Sequence, residues 1–189
     1  MMGFRQGHWW ILAFSLSMTL LGCGGQDSDD TSDTTGAGIA PATGPIVINE
    51  VVAKAADDGA DWVELYNRGD IEVSLDGYAL QDDKDDNLFL LPADLTILPG
   101  DFLVIEGKSS ANEVLFPFGL GSDEAVRLLG DDGTIIDMLD WEDGEAPKGQ
   151  SYGRYPDGGS DIGTLEFTTY GAANAPLGSG ETPTSVEEE

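Results

Sequence analysis

Carboxylates and amides are the side chains of this sequence that could do chemistry, and they cluster. The run Gln81-Asp82-Asp83-Lys84-Asp85-Asp86-Asn87 sets a crowd of oxygen donors around one cation. Asp83, Asp85, Asn87 and Asp94 fall at positions 1, 3, 5 and 12 of an EF-hand count. Position 6, however, is Leu88 where Gly is needed, and Asp94 stands where a bidentate Glu belongs, so an EF-hand is rejected. A looser hairpin-loop Ca²⁺ site at Asp83, Asp85 and Asn87 stands against a solvated acidic turn. Glu50 and Glu64, each set among apolar residues, form a second group. Two carboxylates can do general acid–base work. They can equally pair with Arg154 or accept backbone donors, and no other catalytic element accompanies them, so the expected role is structural. Ser151 has no base to activate it; it and Arg154 read as strand-end hydrogen bonding.

What the chain lacks is as informative. Its one histidine, His8, and its one cysteine, Cys23, both lie in the N-terminal region. A domain beyond them has neither a histidine base nor a thiol nucleophile, nor a disulfide. The formal charge is −28. Such a surface repels phosphate backbones and anionic lipid headgroups, so direct nucleic-acid binding is not expected. The acidity otherwise reads as solubility or cation binding.

The first residues carry a single cation, Arg5, followed by the apolar run Trp9–Leu21, too short for a comfortable membrane span. This fits a secretory leader. Leu20-Leu21-Gly22-Cys23 has the form of a lipoprotein box, which makes residues 1–22 a signal peptide and Cys23 the acylated N-terminus. Two or more acyl chains anchor stably where one does not. Loss of the leader removes Arg5 and no acid, which leaves seven cations against 36 acids, a charge of −29. Residue 24 is Gly rather than Asp, which favours the outer membrane or cell surface over the inner membrane. Residues 24–45 are Gly, Ser, Thr, Asp, Ala and Pro with one isolated Ile39, a composition that cannot bury enough surface to order itself. They are expected to be a flexible tether reaching about 25 Å. Residues 175–189 read as a disordered acidic tail, which leaves 46–174 for one domain.

The elements that must position the acidic groups are short. Apolar runs near Ile46–Val52, Trp62–Tyr66, Val73–Leu75, Tyr78–Gln81, Leu88–Leu91, Phe102–Glu106, Ala125–Leu129, Ile135–Leu139 and Ser151–Arg154 are broken by Gly, Pro, Asp and Asn. Asp131-Asp132-Gly133 is a hairpin signal, because Gly accepts positive φ. Trp62, Glu64 and Tyr66 alternate with Val63, Leu65 and Asn67, the period of a strand. No stretch holds a helical period. The expectation is an all-β, immunoglobulin-like β-sandwich with Trp62 anchoring the core between the sheets. Trp141, in an otherwise polar loop, is expected to be buried under a sheet, with exposure to a sugar or partner as the alternative.

Ile46-Val47-Ile48-Asn49-Glu50-Val51 followed by Asp61-Trp62-Val63-Glu64-Leu65-Tyr66-Asn67 resembles the lamin tail domain family. The later segments keep that family's order: Val73–Leu80, Leu91-Pro92, Leu98–Val104, Phe118-Gly119-Leu120, Val126–Leu129, Asp132-Gly133 and Ile136-Asp137. Ser151–Gly158 and Gly171–Asn174 resemble its closing motifs, with Tyr170 in place of a usual proline. The resemblance covers 46–174. It implies an immunoglobulin-like sandwich that serves as a non-catalytic interaction domain and brings no catalytic residues.

The expected whole is a lipid-anchored cell-envelope protein, not an enzyme, that displays a lamin-tail-like domain to an envelope or extracellular protein, with no cofactor beyond a possible Ca²⁺. The alternatives are a Ca²⁺-dependent adhesin or carbohydrate-binding module, and a carboxylate-based hydrolase.

Overall fold

A computed structural model describes residues 42–56, 59–84, 86–108 and 115–178. The leader, Cys23, the tether up to residue 41, Asp85 and residues 179–189 lie outside the described residues. Among those described there is no helix, and the chain forms twelve strands: β1 (Ile46–Val52), β2 (Trp62–Asn67), β3 (Val73–Ser74), β4 (Ala79–Gln81), β5 (Leu88–Leu90), β6 (Thr96–Ile97), β7 (Phe102–Gly107), β8 (Leu115–Phe116), β9 (Glu124–Leu129), β10 (Ile135–Trp141), β11 (Tyr152–Arg154) and β12 (Ile162–Thr164). One sheet runs β12-β11-β1-β2-β7-β8, a second β10-β9-β4-β5, and β3 pairs with β6. Pairing is antiparallel except between β7 and β8. The two larger sheets enclose an apolar core, the sandwich expected from the sequence.

Local chemistry explains the joints. Gly133, at φ 78, closes the β9–β10 hairpin, and its amide bonds Gly130 O at 2.9 Å. Gly153 is required for a different reason. A Cβ there would stand 2.5 Å from Asn49 O, so any side chain would force β11 away from β1.

The core is built from alternate strand positions: Val63 and Leu65 of β2, Val126 and Leu128 of β9, Leu139 and Trp141 of β10. Trp141 is fully enclosed, and its indole N–H donates to Gly121 O at 3.1 Å. Trp62 does not sit between the sheets as expected. With Val63 and Leu65 facing inward, Trp62, Glu64 and Tyr66 face outward on the six-stranded sheet. Trp62 is nonetheless buried, its ring 5.5 Å from Tyr170 in an edge-to-face contact. A chain segment therefore covers this outer face, which is why every residue of β1 is buried.

Contacts of the described residues extend to either side of 46–174. Thr43 N bonds Ile136 O at 2.9 Å, and Arg68 holds Ala42 O and Gly44 O at 2.8 and 3.1 Å. At the other end Glu166 N donates to Pro176 O, and Leu165 bridges Leu177. β6, β8 and β12 have no counterpart among the expected strands; all are two or three residues long.

Replacing Trp141 by Ala empties a core position and is expected to cost roughly 3–5 kcal/mol of unfolding free energy in urea titration. Trp62→Ala, which removes an outer-face contact, is expected to cost less. A larger loss at Trp62 would contradict this assignment of faces.

Candidate functional site

The acidic residues are placed by an irregularity in β1. Its register against β2 shifts between Ile48 and Glu50, and β11 pairs with β1 only at Glu50 and Val51. The main chain of Ile48 thus has no strand on that side. Two side chains replace it: Ile48 N donates to Asp137 Oδ2 at 2.7 Å, and Arg154 Nε donates to Ile48 O at 2.9 Å. Arg154 Nη2 then bonds Asp137 Oδ1 at 2.7 Å, and Nη1 bonds Gly159 O at 2.7 Å. Burial works against both charges, and their mutual contact works for them. For Glu50 and Glu64 the sequence left two structural roles open, pairing with Arg154 or accepting backbone donors; they accept backbone donors, and Arg154 pairs with neither. Its carboxylate is Asp137 instead, brought from the other sheet. The sequence signal was present: Asp137, Leu139 and Trp141 share one face of β10 by simple alternation, and two of those three are core.

Glu50 and Glu64 are cross-strand partners on the outer face, and both are wholly buried. Glu50 accepts Thr169 N at 3.0 Å and the Thr169 hydroxyl at 2.6 Å. Glu64 accepts Asn49 Nδ2 at 3.1 Å and Gly171 N at 2.8 Å. Asn49 also donates to Asp157 and accepts Gly158 N. Asn174 Nδ2 donates to Asn49 O and Arg154 O at 3.0 and 2.8 Å. The bulge residue and the two glutamates therefore hold the closing segment 169–174 flat on the sheet. Tyr170 completes the cover, its hydroxyl donating to Glu106 at 2.8 Å. The Ser151 hydroxyl is buried beside the Glu50 carboxylate. Burial pushes the Glu64 carboxyl up to about 8; its two donors only partly oppose this, and the neighbouring Glu50 and Asp157 add to it. Burial likewise raises Glu50.

Of the expected Ca²⁺ ligands Asp83, Asp85 and Asn87, the described residues place Asp83 and Asn87. Asp85 lies outside the described residues. Asn87 spends its amide on Asp82, donating to Oδ2 at 2.7 Å. Asp83 instead meets Asp82 and Glu124, one carboxylate oxygen of each lying within 4.8 Å of the others. Glu124 opens β9, far along the chain, and alternates with Val126 and Leu128 on the buried face. That alternation was the signal for it, and the local run of acids obscured it. Glu124 Oε2 accepts Gly121 N at 3.0 Å, and Lys84 Nζ lies 2.9 Å from Asp83. The contact with Glu124, and then Lys84, hold Asp83 below the usual carboxylate range; burial, and then Asp83, hold Glu124 above it.

Two measurements test these assignments. Asp137→Asn strands a buried guanidinium, and is expected to cost about 3–5 kcal/mol in urea unfolding. The raised Glu64 predicts a pH effect of definite sign. Between the unfolded carboxyl range and about 8, the folded state holds a proton that the unfolded chain has lost, so stability falls as pH rises. The only histidine is His8, outside the domain, so none obscures the window. The melting temperature should drop from about pH 6 to about pH 8.5 in the wild type and stay nearly level in Glu64→Gln. A wild-type profile that is flat or rising would mean that Glu64 is ionised throughout.

No curated protein matches the chain. The Lamin Tail Domain family matches residues 39–143. The match takes in β1 to β10 and the bulge with Asp137, and stops short of Arg154 and the closing segment. Over more than half its length, and with the all-β sandwich described above, this chain belongs to the lamin tail domain family.

Proposed function

We propose that the chain is a lipid-anchored cell-envelope protein that presents a non-catalytic lamin tail domain to a protein partner, at the outer membrane or cell surface. The observation that carries the non-catalytic reading is the placement of Glu50 and Glu64. These are the residues best suited to acid–base work, yet both are wholly buried and bonded into segment 169–174, where no substrate reaches them. The missing histidine and thiol in the domain support the same reading. Anchoring rests on Leu20-Leu21-Gly22-Cys23 and the short apolar run before it. The low-complexity residues that follow Cys23 would stand the acidic domain off an anionic bilayer, and the high negative charge favours a partner with a basic or cation-bearing face.

Cys23→Ser tests the anchor. The variant is expected to lose incorporation of labelled palmitate and to leave the membrane fraction. If it is processed and fractionates as the wild type does, the lipoprotein reading fails.

A further inference from the structure

The carboxylates of this domain fall into two classes. Those of Glu50, Glu64 and Asp137 are each met by two donors. The cluster of Asp82, Asp83 and Glu124 is not. Asp82 is buried and its oxygens are taken, Oδ1 by Lys84 N at 2.9 Å and Oδ2 by Asn87 Nδ2 at 2.7 Å. Glu124 is 7% exposed, and its Oε2 is held by Gly121 N. Its Oε1 is buried, lies 3.6 Å from the Lys84 Nζ that also meets Asp83, and accepts no hydrogen bond. The nearest cation is the Lys84 ammonium, 3.6 Å from Glu124 Oε1 and 4.0 Å from Asp82 Oδ2, within bonding distance of Asp83 alone. That side chain is itself 59% exposed. The Lys84 ammonium thus serves three carboxylates, Arg127 adding its charge at Asp83, and the buried Glu124 Oε1 has a 3.6 Å ion pair but no hydrogen bond, an arrangement that costs free energy until a closer partner is supplied.

We infer that Asp82, Asp83 and Glu124 form a divalent-cation site that takes Ca²⁺, with the Lys84 ammonium as the occupant that Ca²⁺ displaces. The geometry suits the ion. Oxygens bound to one Ca²⁺ at about 2.3–2.6 Å stand at most about 5 Å apart, and the three ligand oxygens lie within 4.8 Å of one another. The donor set is oxygen only, which excludes a thiolate or imidazole metal. Asp83 is half exposed, so waters can fill the remaining coordination positions. Three carboxylates exceed the charge of one ammonium, and a divalent ion answers the excess better than a monovalent one. Lys84 need only swing into solvent, which its exposure permits. The site also joins two separate parts of the sheet, the end of β4 and the start of β9, so an ion there ties the β4–β5 hairpin to its neighbour.

The test is calorimetric titration of CaCl₂ into the purified, EDTA-treated protein at constant ionic strength, so that screening is held fixed. The wild type should show one saturable event. Asp83→Asn, an exposed position whose loss the fold tolerates, and Glu124→Gln should each weaken Ca²⁺ binding about tenfold or more, because affinity follows ligand charge. Lys84→Met should bind Ca²⁺ more tightly, because the competing ammonium is gone; a solvated acidic turn would not predict a gain specific to Ca²⁺ over matched NaCl. Melting of each variant in EDTA checks folding, and if Glu124→Gln fails to fold, Asp83→Asn and Lys84→Met decide. The absence of a saturable heat in the wild type would overturn the assignment. So would undiminished affinity in Asp83→Asn, or weaker binding in Lys84→Met.

Discussion

A buried strand must find a partner for every main-chain amide and carbonyl, and β1 cannot do so with strands alone. The register shift at Asn49 leaves the Ile48 amide and carbonyl facing the end of β11. Asp137 comes from the opposite sheet to take the amide, and Arg154 turns back to take the carbonyl. The same shift exposes Asn49 O to Asn174, and sets Asn49 and Glu50 where they reach the closing segment. One irregularity in the first strand thus fixes the sandwich interior and the closing segment 169–174 together. Residues distant in sequence meet at a single point, so the arrangement forms only when most of the chain is in place.

The ion pair has a second consequence. Replacing both Asp137 and Arg154 with apolar residues would remove two buried charges, a change that in other folds is often neutral. Here it would also orphan the Ile48 amide and carbonyl, so the charges are retained for what they bond rather than for their attraction alone. Scarce cations are used the same way elsewhere. Arg68 binds the main chain of Ala42, Gly44 and Gly158, which secures the chain leading into β1 to the turn after β11. In a chain of eight cations against 36 acids, each such placement leaves the surface more uniformly negative.

The strands were largely legible in the sequence, because alternation and turn residues are local. β1 begins and ends where its apolar run does, and Gly133 turns where Asp131-Asp132-Gly133 said it would. The faces were less so. β2 is covered on both sides, so its alternation could not say whether Trp62 or Val63 meets the other sheet, and the larger side chain was the wrong choice. Partners were least legible of all. Glu64 was read as structural and Arg154 as a strand-end hydrogen-bonding group, but nothing local says that Arg154 meets Asp137 or that Glu64 meets Gly171 N. The acidic run at Asp82–Asn87 drew attention to neighbours in sequence, while the ligand that completes the cluster, Glu124, arrives through β4–β9 pairing. Asp137 and Glu124, neither singled out from the sequence, each alternate with core positions on their own strands, and a carboxylate in that position must be answered from somewhere.

The answer differs between the two ends of the fold, and that difference bears on function. At the β1 bulge, the donors are main-chain amides, neutral side chains and the Arg154 guanidinium, all fixed by the fold itself, so the acids there are satisfied whenever the domain is folded. Nothing that arrives from outside can alter them without opening segment 169–174. At the β4–β9 junction the hydrogen-bond supply is incomplete, and the cation nearest Glu124 Oε1 among the described residues is an exposed lysine. The first group is therefore architecture. The second is the one place among the described residues where a solute of the right charge can change the balance of forces without unfolding anything. On the reading proposed above, in which the domain acts through the surface it offers, this junction is where that surface would answer to its ionic surroundings, through the hold of β4 on β9 and the position of the hairpin between β4 and β5.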